Sequence, residues 1–83
     1  MIDPMVLMTP ARMRQYRKRL GLRQSDLAEL AGSDRGFVRN LELGRLAMSP
    51  RSEALMLLTM VRFERRAVEA ERDSKKALDG ETS

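Results

Sequence analysis

The sequence predicts an all-α fold, a compact domain of four to five helices with an extended C-terminal helix. Apolar residues recur at spacings of three and four along most of the chain, as they do on one face of a helix. Proline or glycine stands at the boundaries of most of these segments. Only the first eight residues leave room for a strand. The length of 83 residues allows one small domain, for which association with a second copy would add burial.

The first helix is predicted over about Pro10 to Leu20. Thr9 is an N-cap residue, and proline is well suited to the first helical position. Gly21 ends the segment. The residues expected on its inner face are Met13, Tyr16 and Leu20.

The next two helices are short and are separated by a glycine turn. The second is predicted over about Gln24 to Ala31, and Gly32 is able to take the left-handed conformation that ends a helix sharply. Asp34 is placed to cap a third helix, which Gly44 closes. The residues expected inside this pair are Leu22, Leu27, Ala28, Ala31, Val38 and Leu41.

A fourth helix is predicted to begin at Ser49 and Pro50, which repeat the cap-plus-proline start. No helix breaker follows until Gly80, so the helix is expected to run well past Val61. Residues 79–83 are predicted to be a disordered tail. The residues expected to complete the core are Ala54, Leu55, Leu57, Leu58 and Val61.

The organisation predicted from these elements is an N-terminal arm at 1–9, a domain at 10–61, and a charged helix with its tail at 62–83. A second apolar row on the fourth helix keeps a four-three spacing that is a candidate dimer seam. Its members are Met56, Met60, Phe63, Ala67 and Ala70. The alternative interpretation is a solvated helix with incidental apolar residues.

The composition excludes several classes of site. The chain has no cysteine and no histidine, which removes disulfides, thiolate nucleophiles, imidazole bases and the usual zinc ligands. We therefore expect no enzyme, no cofactor and no metal. The apolar stretch from Met5 to Met8 is too short for a signal sequence or a membrane span, so a cytoplasmic protein is expected.

Positive charge is concentrated in the first half of the chain. Residues 10–51 contain ten Arg or Lys against four Asp or Glu, whereas the six basic and six acidic residues after position 61 cancel. This asymmetry is expected if the first half faces a polyanion.

In the central segment, the apolar positions, the turn positions and the polar positions all match one known sequence pattern. They are Arg17, Leu22–Gln24, Leu27–Glu29, Ala31–Gly32, Val38, Leu41–Glu42 and Gly44. Over about Met13 to Arg45 the chain resembles the Cro/cI-type (XRE) helix-turn-helix family. The resemblance implies a lambda-repressor-like domain that binds double-stranded DNA by placing its third helix, about Asp34 to Leu43, in the major groove.

The resemblance also implies which residues contact DNA. The base-facing positions are Arg35, Gly36, Arg39 and Asn40. Phosphate contacts are expected from Arg23, Gln24, Leu43, Gly44 and Arg45, and beyond the motif from Arg51. The chemistry agrees, since an Arg fork matches guanine and an Asn amide matches adenine, while Arg39 has the reach for either a base or a phosphate. Arg17 and Glu42 are expected to form a scaffold ion pair.

Four positions depart from the family pattern. Arg23 replaces the usual Ser or Thr, so the second helix lacks its normal cap. Asp34 puts a carboxylate close to DNA, and Leu43 replaces a polar residue that contacts phosphate. Gly36 either allows a closer approach to DNA or leaves one base unread.

Three classes of function follow as expectations. The first is a homodimeric transcriptional repressor, associated with the nucleoid, that binds an inverted-repeat operator; the family resemblance suggests a phage or another mobile element as its setting. The second is a protein-interaction module, such as an antitoxin or anti-activator, whose C-terminal helix binds a protein partner. The third, an enzyme, is disfavoured because no nucleophile and base can be assembled.

Overall fold

The structure, a computed structural model, describes the backbone of residues 8–81 and the side chains of residues 8–74. Over that range the chain forms four helices and no strand: α1 (Pro10–Arg19), α2 (Gln24–Leu30), α3 (Arg35–Glu42) and α4 (Pro50–Glu81). The predicted all-α fold is therefore confirmed. An arm or strand within residues 1–7 was among the expectations, and those residues lie outside the described part of the chain.

The predicted caps of α1, α3 and α4 are present. In each case a side-chain oxygen accepts a hydrogen bond from the backbone N–H three residues later, which satisfies a donor that the helix leaves unpaired. The pairs are Thr9 with Arg12 at 3.1 Å, Asp34 with Phe37 at 2.8 Å, and Ser49 with Ser52 at 3.1 Å.

The turn between α2 and α3 depends on Gly32, whose φ is +67°. Its N–H donates to the carbonyl of Glu29 at 3.1 Å, and the N–H of Ser33 donates to that of Ala28 at 2.8 Å. This pairing closes the helix in the Schellman manner. A Cβ at this position would meet no atom within 4 Å, so the backbone conformation alone requires glycine.

The core is built by all four helices and by Met8, two residues before α1. It contains four methionines, whose unbranched side chains fill irregular gaps between short helices. Its members are Met8, Met13, Leu27, Ala28, Val38, Leu41, Met56 and Met60.

The face of α4 that enters the core differs from the predicted one. Met56 and Met60 are completely buried, whereas Leu55 and Leu58 are 39% and 51% exposed. Ala54 is exposed as well, and Leu57 and Val61 are only partly buried. Ala54, Leu55 and Leu58 were therefore wrongly expected in the core, whereas Leu57 is partly buried and packs against it. The physical reason is that the five residues from Ala54 to Leu58 are all apolar and surround the helix, so their spacing does not select one face.

The burial of Met56 and Met60 also corrects the predicted dimer seam. Both side chains pack inside their own domain and have no surface to offer a second copy. Of the remaining members, Phe63 is half-buried, and Ala67 and Ala70 are exposed. A contact between copies along this row is therefore limited to its last three residues.

Glu53 lies on the same face of α4 and is a buried carboxylate. Its Oε2 atom accepts a hydrogen bond of 2.8 Å from the backbone N–H of Met8. The bond satisfies the carboxylate and fixes the chain immediately before α1 against α4.

The second half of α4 extends away from the domain. Every side chain from Arg65 to Ser74 is exposed. The helix continues to Glu81, three residues into the segment predicted to be a disordered tail; Thr82 and Ser83 lie outside the described residues. Among the described residues, no helix combines the length and the hydropathy needed to cross a membrane.

Candidate nucleic-acid interface

The exposed face of α3 carries the residues predicted to read bases. Val38 and Leu41 are fully buried, and this anchors one face of the helix in the core. The opposite face presents Arg35, Gly36 and Arg39 to solvent, with Asn40 half-buried beside them. The structure therefore brings all four predicted base-facing residues onto one accessible surface.

The cationic groups on and after this face have no partner in the part of the chain that the structure describes. Among the described residues, the side chains of Arg35, Arg39, Arg45 and Arg51 make no ion pair and no hydrogen bond. Arg17, Arg19 and Arg23, by contrast, each pair with a carboxylate. Arginine forks with unused donors are the groups that recognise phosphate and guanine.

The N-terminal ends of α2 and α3 meet around a shallow depression. Arg23, Gln24 and Ser25 line one side of it and Arg35 the other, and its volume is about 320 Å³. The depression therefore joins residues predicted to contact phosphate with one predicted to contact a base. An anion placed here would meet the guanidinium of Arg35 and the positive end of α2.

Arg23 is held by its own helix. Its Nε and Nη2 atoms donate to the carboxylate of Asp26 at 3.0 and 3.1 Å, and the same carboxylate accepts the Arg23 backbone N–H at 2.9 Å. The backbone bond is the half of a capping box that an acidic side chain at the third helical position supplies, and the oxygen that a Ser or Thr cap would offer to the first turn of α2 remains missing. The hydrogen bonds from Arg23 lower the pKa of the Asp26 carboxyl below its ordinary value. A phosphate contact by Arg23 would therefore compete with Asp26.

Arg17 and Glu42 form a bidentate ion pair between α1 and the end of α3. The Nε atom of Arg17 lies 2.7 Å from Oε2 of Glu42, and Nη2 lies 2.9 Å from Oε1. The Nη1 atom of Arg17 also donates to the carbonyl of Leu22 at 2.8 Å. The two side chains are only 8% and 3% exposed. The pair is thus an internal connection that fixes α3 against α1.

Gln24 takes part in the same network. Its side-chain amide nitrogen donates to Oε1 of Glu42 at 3.3 Å, and the residue is half-buried. An amide group carries two N–H donors, so one remains for a phosphate. The bond to Glu42 orients the side chain expected to make that contact.

Gly36 has a structural role that the sequence did not reveal. A Cβ at this position would lie 3.1 Å from Oδ1 of Asp34, the atom that caps α3. The absence of a side chain therefore leaves room for the cap. The glycine also leaves a gap in the exposed face between Arg35 and Arg39.

The turn after α3 contributes a side chain rather than free backbone donors. The N–H groups of Leu43, Gly44 and Arg45 already donate to carbonyls of α3, at 2.9, 3.2 and 2.9 Å. The guanidinium of Arg45 is the donor left to contact a phosphate at this turn. Leu43 is 53% exposed. Arg51 lies on the first turn of α4, and among the described residues no hydrogen bond joins it to the α3 face.

Sequence reasoning missed two contacts that shape the site. The first is the Gln24–Glu42 hydrogen bond, because residues on different helices give no spacing signal. The second is the hydrogen bond of Asp26 to Arg23. An acidic residue three positions after an N-cap is a recognised capping signal, which could have predicted it.

Comparison with known proteins gives one positive result. Residues 13–59 match the family model HTH_3, described as Helix-turn-helix. The match covers α2, α3 and most of α1, together with the core-forming start of α4. No curated protein and no solved structure matches the chain.

Proposed function

Because this chain belongs to the Cro/cI-type helix-turn-helix family of DNA-binding transcription regulators, we propose that it is a dimeric repressor that binds an inverted-repeat operator. One observation carries the proposal: the exposed, unpaired arginines of α3, which lie beside Asn40 and opposite the buried Val38 and Leu41. Action on the chromosome places the protein in the cytoplasm, at the nucleoid.

The mode of binding follows from the chemistry of the α3 face. Arg35 and Asn40 read base edges, the first as a fork on guanine and the second as an amide on adenine. Gln24 fixes the domain on the DNA backbone from the start of α2, and Arg45 does so from the turn after α3. Arg39 reaches a base or a phosphate, and Arg51 adds a backbone contact.

A single helix of eight residues offers few base contacts, so useful specificity needs two copies. The side chains of α4 from Arg65 to Ser74 are exposed and make no hydrogen bond or ion pair with another side chain of residues 8–74. Exposed Leu55 and Leu58 are a second apolar surface on the same helix. We propose that α4 supplies the contact between copies.

The test of DNA recognition begins with selection of a preferred duplex from random sequences by the purified protein. Arg35→Ala and Asn40→Ala should then each cost about 1–3 kcal/mol of discrimination at one position of that sequence. Gln24→Ala should weaken binding to all sequences alike. Equal losses on preferred and random DNA for the first two variants would contradict base reading by α3.

The test of dimerisation is a chain that ends at Glu64. This truncation removes the exposed half of α4 and keeps every α4 residue that is buried. Sedimentation should show weaker association than for the full chain, and affinity for a two-half-site operator should fall more than affinity for one half-site. A truncated chain that remains an unchanged dimer would exclude this half of the helix as the contact.

The long exposed helix also favours a second candidate, an interaction module in which α4 binds a different protein. Such a protein would be expected to stay monomeric alone and to show little preference among duplexes. The selection and sedimentation measurements therefore distinguish the two candidates.

A further inference from the structure

A basic face of α1 is used neither by the core nor by the site described above. Arg14 and Lys18 are one turn apart on this helix and both are exposed. Among the described residues, neither makes a hydrogen bond or an ion pair. α1 contains no acidic residue at all, so nothing within the helix offsets their charge.

This face adjoins the elements proposed to bind DNA. Arg14, Gln15 and Lys18 line an open depression of about 510 Å³ whose wall includes Glu42, the last residue of α3. Glu42 in turn bonds Gln24 at the start of α2. The basic face of α1 therefore lies beside the end of α3, and Glu42 links it to the start of α2. These are the two places from which the domain is proposed to contact the DNA backbone.

Glu42, the acidic residue beside this face, does not neutralise the charge of Arg14 and Lys18. Both carboxylate oxygens of Glu42 are already bound by Arg17. Lys18 lies in the last turn of α1, where a cation also favours the helix dipole, but Arg14 does not. Helix stability thus explains one of the two charges, whereas Arg14 is exposed and has no such role in α1.

We propose that Arg14 and Lys18 form a second DNA-backbone site, which binds phosphodiester groups of duplex DNA beside those held by Gln24 and Arg45. The inference rests on the proposed function, because the ligand is the same duplex. The site reads no base. Its contribution is affinity, and that affinity depends steeply on salt because each phosphate contact releases a counterion.

The experiment measures binding between 50 and 200 mM salt, by fluorescence anisotropy, on a selected duplex and on a random duplex. The variant is Arg14→Gln with Lys18→Gln. Loss of two phosphate contacts should lower the slope of log affinity against log salt by about 1.8, so the unmodified protein should lose about tenfold more affinity over this range than the variant. The difference should be the same on both duplexes.

The control is Arg62→Gln, compared with Arg14→Gln and Lys18→Gln as single variants. Arg62 is also exposed, and it lines a depression beside Leu30, at the opposite end of α2 from Gln24. The control removes one charge outside the stretch from Arg65 to Ser74 and should keep the slope of the unmodified protein, whereas each single variant of the α1 pair should lower it by about 0.9. Arg14→Lys with Lys18→Arg should keep it too, because both cations remain.

An unchanged slope in the Arg14 and Lys18 variant would overturn the α1 site, as would an equal change in the control. Failure of the proposed function has a different signature. In that case the protein prefers no duplex sequence, and the random duplex still reports whether the α1 pair contacts phosphate.

Discussion

Replacement of Arg17 by methionine tests how much the ion pair between α1 and α3 contributes to the free energy of unfolding. Methionine keeps the apolar stem and removes the guanidinium, which donates at 2.7, 2.9 and 2.8 Å to Glu42 and the Leu22 carbonyl. The Glu42 carboxylate, 3% exposed, then keeps only the 3.3 Å bond from Gln24. A buried charge that loses its partner costs about 3–5 kcal/mol.

The assay is thermal and urea unfolding followed by circular dichroism. For a domain of this size a loss of 3 kcal/mol corresponds to a fall of more than about 10 °C in Tm. The control is Arg19→Gln, which breaks the exposed Arg19–Glu64 pair, whose side chains are 70% and 43% exposed, and should cost less than about 1 kcal/mol. A loss below about 1 kcal/mol for Arg17→Met would refute the reasoning. A double variant, Arg17→Met with Glu42→Leu, should recover much of the loss because no unpaired charge remains.

Three further predictions concern stability and are checked by the same unfolding measurements. Met56→Ala and Met60→Ala should each cost about 2–5 kcal/mol because they open a cavity in the core, whereas Leu58→Ala, at a half-exposed site, should cost much less; similar losses at all three positions would contradict the observed face of α4. Gly32→Ala should cost about 1–2 kcal/mol from backbone conformation alone, and a neutral result would mean that the left-handed turn is not required. Asp34→Ala should cost about 0.5–2 kcal/mol through loss of the α3 cap, while Asp34→Ser should restore most of it; equal losses in both variants would assign the effect to something other than capping.

Features that depend on neighbouring residues were predictable from the sequence. Thr9, Asp34 and Ser49 cap helices because their side chains reach an N–H three residues away, and Gly32 ends a helix through its own backbone. These are short-range effects, and the sequence contains all the information they need.

Features that depend on contacts between helices were not predictable in the same way. The choice of Met56 and Met60 over Leu55 and Leu58 is made by the shape of the surface that α1 and α2 offer to α4. The bond between Glu53 and the backbone of Met8 spans 45 positions. For the candidate site, the residue types of the α3 face were predictable. Two features emerged only from the geometry: the side-chain hydrogen bonds from Arg23 to Asp26, and those from the N–H groups of the turn after α3 to carbonyls of α3.

The thioether side chains of the interior give this protein a set of built-in spectroscopic reporters. The methyl groups of Met8, Met13, Met56 and Met60 sit on the segment before α1, on α1 itself and on two successive turns of α4. Selective carbon-13 labelling of methionine methyls would therefore place nuclear magnetic resonance probes on both sides of the contact between α1 and α4. Chemical shift changes at these probes on addition of DNA would report whether the interior adjusts or stays rigid when the outer surface is occupied.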